Sequence, residues 1–285
     1  MTERPTEGPN AAQIEHWNGQ AGDTWAALHD RLDAQLEPLG RAALDLSPPG
    51  RGEHALDIGC GTGQTTLALG ERVGSQGSAL GIDISRPMLE LARARARAAT
   101  IKNVRFEQAD AQIYAFEPRA FDYVFSRFGV MFFAEPVAAF ANLRAAMRQG
   151  GRLVFVTWRP ARENQWVSVP CEAAYRHLPR PAPPELGAPG EFSLADADRT
   201  RAILAGAGFA KIAIDAHDML IGGGSLERTL DTILRMGPVE AALRDSGQDQ
   251  REAVAISLRE ALAPFAGAQG MRMGSATWLV RAVNP

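Results

Sequence analysis

Cysteine is almost absent from this chain: Cys60 and Cys171 are the only two among 285 residues. Two isolated thiols make neither a disulfide framework nor a four-ligand zinc site, so both are expected to be reduced, in a cytoplasmic protein. No long unbroken apolar run is present, which leaves no membrane-spanning helix and no signal-peptide core in "MTERPTEGPN". A surplus of positive charge is missing too: 30 Lys and Arg stand against 33 Asp and Glu, for a net charge of −3. No overall field therefore draws in nucleic acid or acidic lipid. The sequence has no H-x-x-x-H and no Cys/His cluster, so no metal is expected. Internal repeats are absent as well. What remains is an ordinary globular composition, 46% hydrophobic and 22% charged, on a chain long enough for a full core.

The apolar pattern divides the chain. Residues 1–10 read as a disordered tail and 11–50 as a helical segment, with Trp25, Leu28, Leu32, Leu36 and Leu39 at helical spacing, Asp23 as its N-cap and "SPPG" at 47–50 as its stop. From residue 54 short apolar strands alternate with helices: "HALDI", "ALGID", "VRFEQAD", "FDYVFS" and "GRLVFVTW", with helices at about 64–73, 86–99 and 136–148. That alternation predicts a mainly parallel sheet covered on both faces. Beyond Trp158 the rhythm breaks into a helix over 164–178, a Pro-rich loop at 179–190, and a helix in "DADRTRAILAGAGF". Strands "AKIAIDAHDML" and "ATWLVRAV" close the pattern and bring the strand count to seven. Between them a helical insertion at about 222–270 carries two patterns, around Leu226, Leu230 and Leu234 and around Val254, Leu258 and Leu262.

The densest chemistry lies in "HALDIGCGTGQTTLALG", where Gly59, Gly61 and Gly63 follow a strand and precede a helix. Glycine there permits positive φ and lets a ligand approach the main chain, beside the free N–H groups of a helix start. The dinucleotide pattern G-x-G-x-x-G fails, because the sixth position is Gln64 in one register and Thr66 in the other. No G-K-[ST] follows either, so a phosphate loop is not indicated.

The run Asp57-Ile-Gly-Cys-Gly-Thr-Gly63 closely resembles motif I of the class I S-adenosylmethionine-dependent methyltransferases. Four further segments agree in order: "GIDIS" at 81–85, "QADAQ" at 108–112, "FDYVFSRFGVMFF" at 121–133 and "GGRLVFVTW" at 150–158. The resemblance covers about residues 10–160, and its nearest branch is similar to the ubiquinone/menaquinone-pathway methyltransferases. It implies an α/β, Rossmann-like doubly wound fold: a mainly parallel seven-stranded sheet with an antiparallel last strand, an N-terminal helical lid (11–50), a cofactor-binding core (51–160) and a remainder (161–285) carrying the helical insertion. It implies S-adenosylmethionine as cofactor and S-adenosylhomocysteine as product. Asp83 would bind the ribose hydroxyls, Asp110 would meet the adenine amino group, and Asp57 would hold the loop or the cofactor amine. The other cofactor contacts it implies are Trp25, Gly59, Cys60, Gly61, Thr62, Gly63, Ile84, Met88, Ala111, Ser126 and Arg127. A carboxylate suits a diol because it accepts two hydrogen bonds and donates none, though it would serve a dinucleotide ribose equally well. Asp110 as a helix N-cap stays open beside its cofactor role.

The acceptor side is less legible. Trp17 and Trp25 either form a lid or anchor the first helix. Phe128, Met131, Phe132, Trp158 and Trp166 fall at or beyond predicted strand ends and would line an apolar pocket, or belong to the core. Arg127 and Arg159 in that zone would orient an anionic substrate, or pair at the surface. The arginines of "RARARA" at 93–98 are expected on a solvated helix face. His16 and His29 are the candidate general bases, with noncatalytic roles as the alternative.

The function these features imply is methyl transfer from S-adenosylmethionine to an oxygen, nitrogen or carbon of a small, partly apolar molecule. A base is needed only where the nucleophile must lose a proton. An NAD-dependent oxidoreductase and a non-catalytic S-adenosylmethionine- or nucleoside-binding regulator are the alternatives. No nucleic-acid partner is expected; a homodimer is an open partner state.

Overall fold

The computed structural model describes residues 8–185 and 187–285. The expected tail lies outside the described residues at 1–7, but it does not extend to Asn10, which is 5% exposed and hydrogen-bonded.

Three helices lead the chain: α1 (Ala11–Asn18), α2 (Gln20–Ala27) and α3 (His29–Leu46). The chain breaks at Gly19, so Asp23 sits in the first turn of α2 and is not a cap. In α3 the spacing of Leu32, Leu36, Leu39 and Ala43 puts one face into the core.

The alternating part follows as β1 (His54–Ile58), α4 (Gln64–Val73), β2 (Ser78–Asp83), α5 (Arg86–Ala98), β3 (Val104–Gln108), β4 (Phe121–Arg127), α6 (Pro136–Ala146) and β5 (Met147–Trp158). After it come α7 (Gln165–Ala174), α8 (Ala197–Gly206) and β6 (Ala210–Ile221). The insertion holds three helices where two patterns were expected: α9 (Leu226–Arg235), α10 (Gly237–Leu243) and α11 (Gln248–Leu262). A two-stranded hairpin of β7 (Ala266–Gly267) and β8 (Gly270–Met271) leads into β9 (Met273–Val283).

The seven-stranded sheet has the order β3-β2-β1-β4-β5-β9-β6. Its pairs are parallel except where β9 runs antiparallel to β5 and β6. The last strand is therefore the antiparallel one, and this is the doubly wound class expected. Chain order reverses between β1 and β4, so a crevice opens beyond the carboxyl ends of those two strands. Near-continuous apolar runs fill the sheet because both faces are covered. Tyr123, Phe125, Phe140 and Phe155 are fully buried, and such aromatic burial contributes about 1.5–3 kcal/mol per side chain.

A second, smaller apolar cluster joins α7 to the insertion through Ala173, Ala174, Leu230, Val239, Leu243, Val254, Leu258 and Leu262. The insertion thus owns a core of its own and stands over the crevice as a cap. No helix among the described residues is long and apolar enough to cross a membrane.

Candidate active site

The glycine loop leaves β1 with φ of 64°, 53° and 84° at Gly59, Gly61 and Gly63. At Gly59 the reason is a backbone crossing: a Cβ there would stand 2.6 Å from the Cα of Gly129, in the loop after β4. The loop's amides are mostly spent on the protein itself. Gly59 and Cys60 donate to the carbonyl of Ile82 at 2.9 and 3.1 Å, and Gly63 donates to the carbonyl of Cys60 at 2.9 Å. The Gly61 amide donates to Oδ2 of Asp83 at 2.7 Å. The glycines therefore supply a close-fitting surface more than a set of donors.

Three carboxylates organise this end of the sheet. Asp57 is fully buried and accepts hydrogen bonds from the Thr65 and Thr66 hydroxyls on one oxygen, at 2.6 Å each. Its other oxygen is buried without a partner among the described residues. Burial pushes its pKa up to about 6 despite those hydrogen bonds. Asp83 is also raised by burial, while the amides of Ser85 and Gly61 pull it back. Oδ1 of Asp110 accepts from Asn10 Nδ2 and from the Gln112 amide, both at 3.0 Å. Oδ2 of Asp110 is buried with no partner among the described residues. Cys60 is a buried thiol pushed far up by desolvation and by the neighbouring Asp83 and Asp57, so it stays protonated and is no nucleophile.

Two cavities meet here. The loop cavity, about 120 Å³, is lined by Gly59–Thr62, Asp83, Ile84, Met88, Asp110, Ala111, Arg127 and Phe128, among others. The cap cavity, about 310 Å³, lies between α3, the loop after β4, α7 and the insertion. Trp17, Trp25, Leu36, Phe128 and Phe132 line both. Trp17 stands edge-on to Trp25 at 5.7 Å and to Phe132 at 5.5 Å. The same helices are also clamped down: Asn18 donates to the Ile84 carbonyl at 2.9 Å, and Ser85 Oγ donates to the Trp17 carbonyl at 2.7 Å. The tryptophans are thus anchored and at the same time wall both cavities.

Phe128 carries a strained backbone, with φ of 66° in the left-handed region. Such a conformation costs on the order of 1–3 kcal/mol for a bulky residue. Its ring stacks on Trp158 at 4.1 Å and 12°, and Trp158 meets Trp166 at 4.7 Å. Phe128, Met131, Phe132, Trp158 and Trp166 all line the cap cavity.

Other expected residues stand elsewhere. Arg159 lines neither cavity: it pairs with Glu163 and Asp218 at 2.5 and 2.6 Å and lies over the Trp278 ring, which favours the ion-pair alternative over a role in orienting substrate. Ser126 is fully buried beside the loop cavity, donating to the Ile58 carbonyl at 2.8 Å and accepting from the Gly129 and Val130 amides, so it shapes the crossing of the two loops. Asp57 and Gly63 likewise support the cavity from behind. Neither His16 nor His29 lines a cavity; His16 is exposed, and His29 is held by the Ala26 carbonyl and Asp30.

Asp33, Arg95, Asn10 and Glu191 gave no usable signal in the sequence. Asp33 on α3 is 5% exposed, and it pairs with Arg95 at 2.7 Å and Arg127 at 3.2 Å. Arg95, expected on a solvated face, instead also donates to the carbonyl and hydroxyl of Thr62 at 3.0 Å each. Arg127 donates further to the Gln64 side chain. Asn10 bridges Asp110 and the Ala134 amide. Glu191 brings a carboxyl to the cap cavity.

Residues 55–151 match the family described as methyltransferase domain. Over 139 residues the chain is 38% identical to aklanonic acid methyltransferase DauC of Streptomyces sp. (strain C5), covering 48% of this chain and 63% of that protein. Over 104 residues it is 38% identical to demethylmenaquinone methyltransferase of Staphylococcus aureus (strain MRSA252), covering 36% of this chain and 42% of that protein. The chain thus spans less than two thirds of the length of these curated relatives. Among solved structures, Haemonchus contortus phosphoethanolamine N-methyltransferase 2, with phosphomonomethylethanolamine and S-adenosylhomocysteine, aligns with a TM-score of 0.58 at 17% identity, covering 98% of this chain and 60% of that one. At that identity the likeness is one of fold.

Proposed function

We propose, from the premise that residues 55–151 match a methyltransferase domain, that the chain is an S-adenosylmethionine-dependent enzyme that transfers a methyl group to a small, partly apolar acceptor. The observation that carries this reading is the junction of two unlike cavities across one aromatic wall: a carboxylate-bearing one at the switch point and an apolar one under the cap.

The residues present fit the cofactor. The unpartnered Oδ2 of Asp110 is a buried acceptor for which an adenine amino group is the natural donor. Asp83 at the edge of the loop cavity would take the ribose hydroxyls, with Ile84, Met88, Ala111 and Trp25 forming apolar walls. Gly59, Cys60, Gly61 and Thr62 would lie against the cofactor's main body, and Arg127 with Asp33 would hold α3 in place over it. S-adenosylmethionine, when bound, supplies a methyl already activated on a sulfonium. The chain's own tasks are then alignment and exclusion of water. Trp17, Trp25, Phe128 and Phe132, which line both cavities, would perform both. The proposal includes a cytoplasmic location and needs no nucleic acid. A second copy is not required either, because one chain lines both cavities.

Calorimetry with S-adenosylhomocysteine, S-adenosylmethionine and NAD tests the cofactor. Saturable binding of the first two and none of NAD is expected; NAD binding without response to the sulfonium compound overturns the proposal. Transfer of labelled methyl from the cofactor into a metabolite extract tests the reaction, and binding without transfer would favour a sensor.

A further inference from the structure

The cap cavity is walled by aromatic rings and aliphatic side chains, yet one carboxyl enters it from a segment that belongs to no helix or strand. Glu191 follows the Pro-rich loop, and its neighbours are fixed: the Gly190 amide and the Ser193 hydroxyl both donate to the Met131 carbonyl, at 3.1 and 2.5 Å. Met131 adjoins Phe132, one of the residues shared by the two cavities. The segment is thereby pinned beside the aromatic wall, with Glu191 half-buried in the cavity lining.

Nothing in the fold explains this carboxyl. Among the described residues it has no ion pair and no hydrogen-bond donor, whereas the chain's other half-buried and buried acids at this end, Asp33, Asp57, Asp83 and Asp110, each hold a structural partner. Of the charged and titratable groups on the same cavity wall, Arg31 on α3 is committed to Asp231 at 2.5 Å and Asp30 to His29 at 3.0 Å. Arg228 enters from α9, and Cys171 from α7. Burial alone raises Glu191, and Glu191 in turn helps hold the Cys171 thiol protonated. A half-buried carboxylate without a partner among the described residues, in a mostly apolar cavity, is a costly arrangement that a ligand donor would relieve.

We propose that Glu191 accepts the proton of the acceptor's nucleophile, which makes the cap cavity a site for a flat, multi-ring molecule bearing a hydroxyl. This rests on the methyltransferase reading above and extends it to the class of acceptor. In the step, the hydroxyl oxygen forms a bond to the methyl carbon as that carbon's bond to sulfur breaks, the electron pair staying on sulfur. The hydroxyl proton passes to the Glu191 carboxylate, leaving a neutral carboxylic acid, a methyl ether and a neutral thioether. A carboxylate with a raised pKa is a stronger base than an ordinary one and suits this transfer near neutral pH.

The test uses the full chain saturated with S-adenosylhomocysteine and two probes, 2-hydroxyanthraquinone and 2-methoxyanthraquinone. Trp17, Trp158 and Trp166 line the cavity, so quenching of tryptophan fluorescence reports binding. At neutral pH the hydroxyl probe should bind at least about tenfold more tightly than the methoxy probe, as a charge-assisted hydrogen bond warrants. That preference should shrink as the pH falls and Glu191 takes up its own proton. E191Q, which keeps the shape, should show a preference under about threefold that does not change with pH. Its thermal unfolding should be no lower than the parent's, since an unpaired carboxylate has been removed. A parent without preference, a preference that survives in E191Q with its pH dependence, or failure of both probes to quench overturns the role of Glu191. Calorimetry of S-adenosylhomocysteine on the same samples separates the two readings, because absence of that binding fells the methyltransferase proposal itself.

Discussion

In and just behind the loop cavity, Asp57, Asp83 and Asp110 each hold hydroxyls, side-chain amides or backbone amides at 2.6–3.0 Å, and three glycines give the main chain its path. In the cap cavity the walls are rings and aliphatic chains from α3, the loop after β4, α7 and the insertion, tied together by few polar contacts. One half is fixed by hydrogen bonds over short stretches of chain, and the other by packing between distant segments. The first kind of site tolerates little change; the second can be reshaped residue by residue. The two relatives that share part of this sequence carry printed names that refer to different compounds, aklanonic acid and demethylmenaquinone.

The largest effect should come from Gly59→Val. Its Cβ would stand 2.6 Å from the Gly129 Cα, backbone against backbone, at a φ that a β-branched residue rejects. We expect S-adenosylhomocysteine affinity to fall more than about 100-fold and stability to drop by several kcal/mol, on the order of 4. Binding within tenfold of the parent in calorimetry would mean that the loop is pliable and the contrast overstated.

Asp57 comes next and is read by pH. Its folded pKa of about 6 lies above the ordinary 3.8, so the folded state holds the proton more tightly than the unfolded chain. The stability this contributes is complete below about pH 4 and is lost as pH rises through about 6. Asp57→Asn cannot ionise, so its stability relative to the parent should improve between about pH 4 and 7, by up to about 3 kcal/mol at 1.36 kcal/mol per unit. Urea titrations at several pH values measure the difference, and a constant difference across that range would contradict burial as the cause.

Asp83→Ala should weaken S-adenosylhomocysteine by about 1.5–3 kcal/mol through lost charge-assisted hydrogen bonds. The affinity of 2-methoxyanthraquinone should stay within about threefold if the cap cavity is built independently, a difference below the worth of one ordinary hydrogen bond. Smallest of all is Arg31→Ala, which cuts the tie from α3 to Asp231 and Thr232 on α9. Both partners are partly exposed, so stability should change by less than about 1 kcal/mol. Faster hydrogen exchange in α9 would be the visible result, and unchanged exchange would show that apolar packing alone holds the cap.

The same contrast sets what was legible from the sequence. Strand, turn and helix signals are local, so the seven strands, the glycine loop, Asp83 and Asp110 stood out, and the antiparallel last strand followed from the resemblance they carried. The Asp33–Arg95–Arg127 network joins positions 62 and 94 residues apart, and no local spacing marks it. Alternating Arg and Ala looks like an exposed helix face, yet Asp33 reaches Arg95 from α3 across a separation of 62 residues. Asp23 failed as a cap because Gly19, a stronger helix stop, lies four residues earlier. Glu191 was hidden because a carboxyl after a Pro-rich loop is ordinary surface until Met131 pins the segment inward.

The self-bonded glycine loop has a consequence for selection among the adenosine compounds of a cell. Its amides at residues 59, 60, 61 and 63 already have acceptors, and the carboxylates of Asp57 and Asp83 stand close behind them. A pyrophosphate or triphosphate arriving there would meet spent donors and negative charge, whereas an adenosine bearing a cationic sulfonium meets neither penalty. Under the proposed function, nucleotides that share the adenine and ribose should therefore compete poorly for the site, because most of the loop's donors are already committed to the protein.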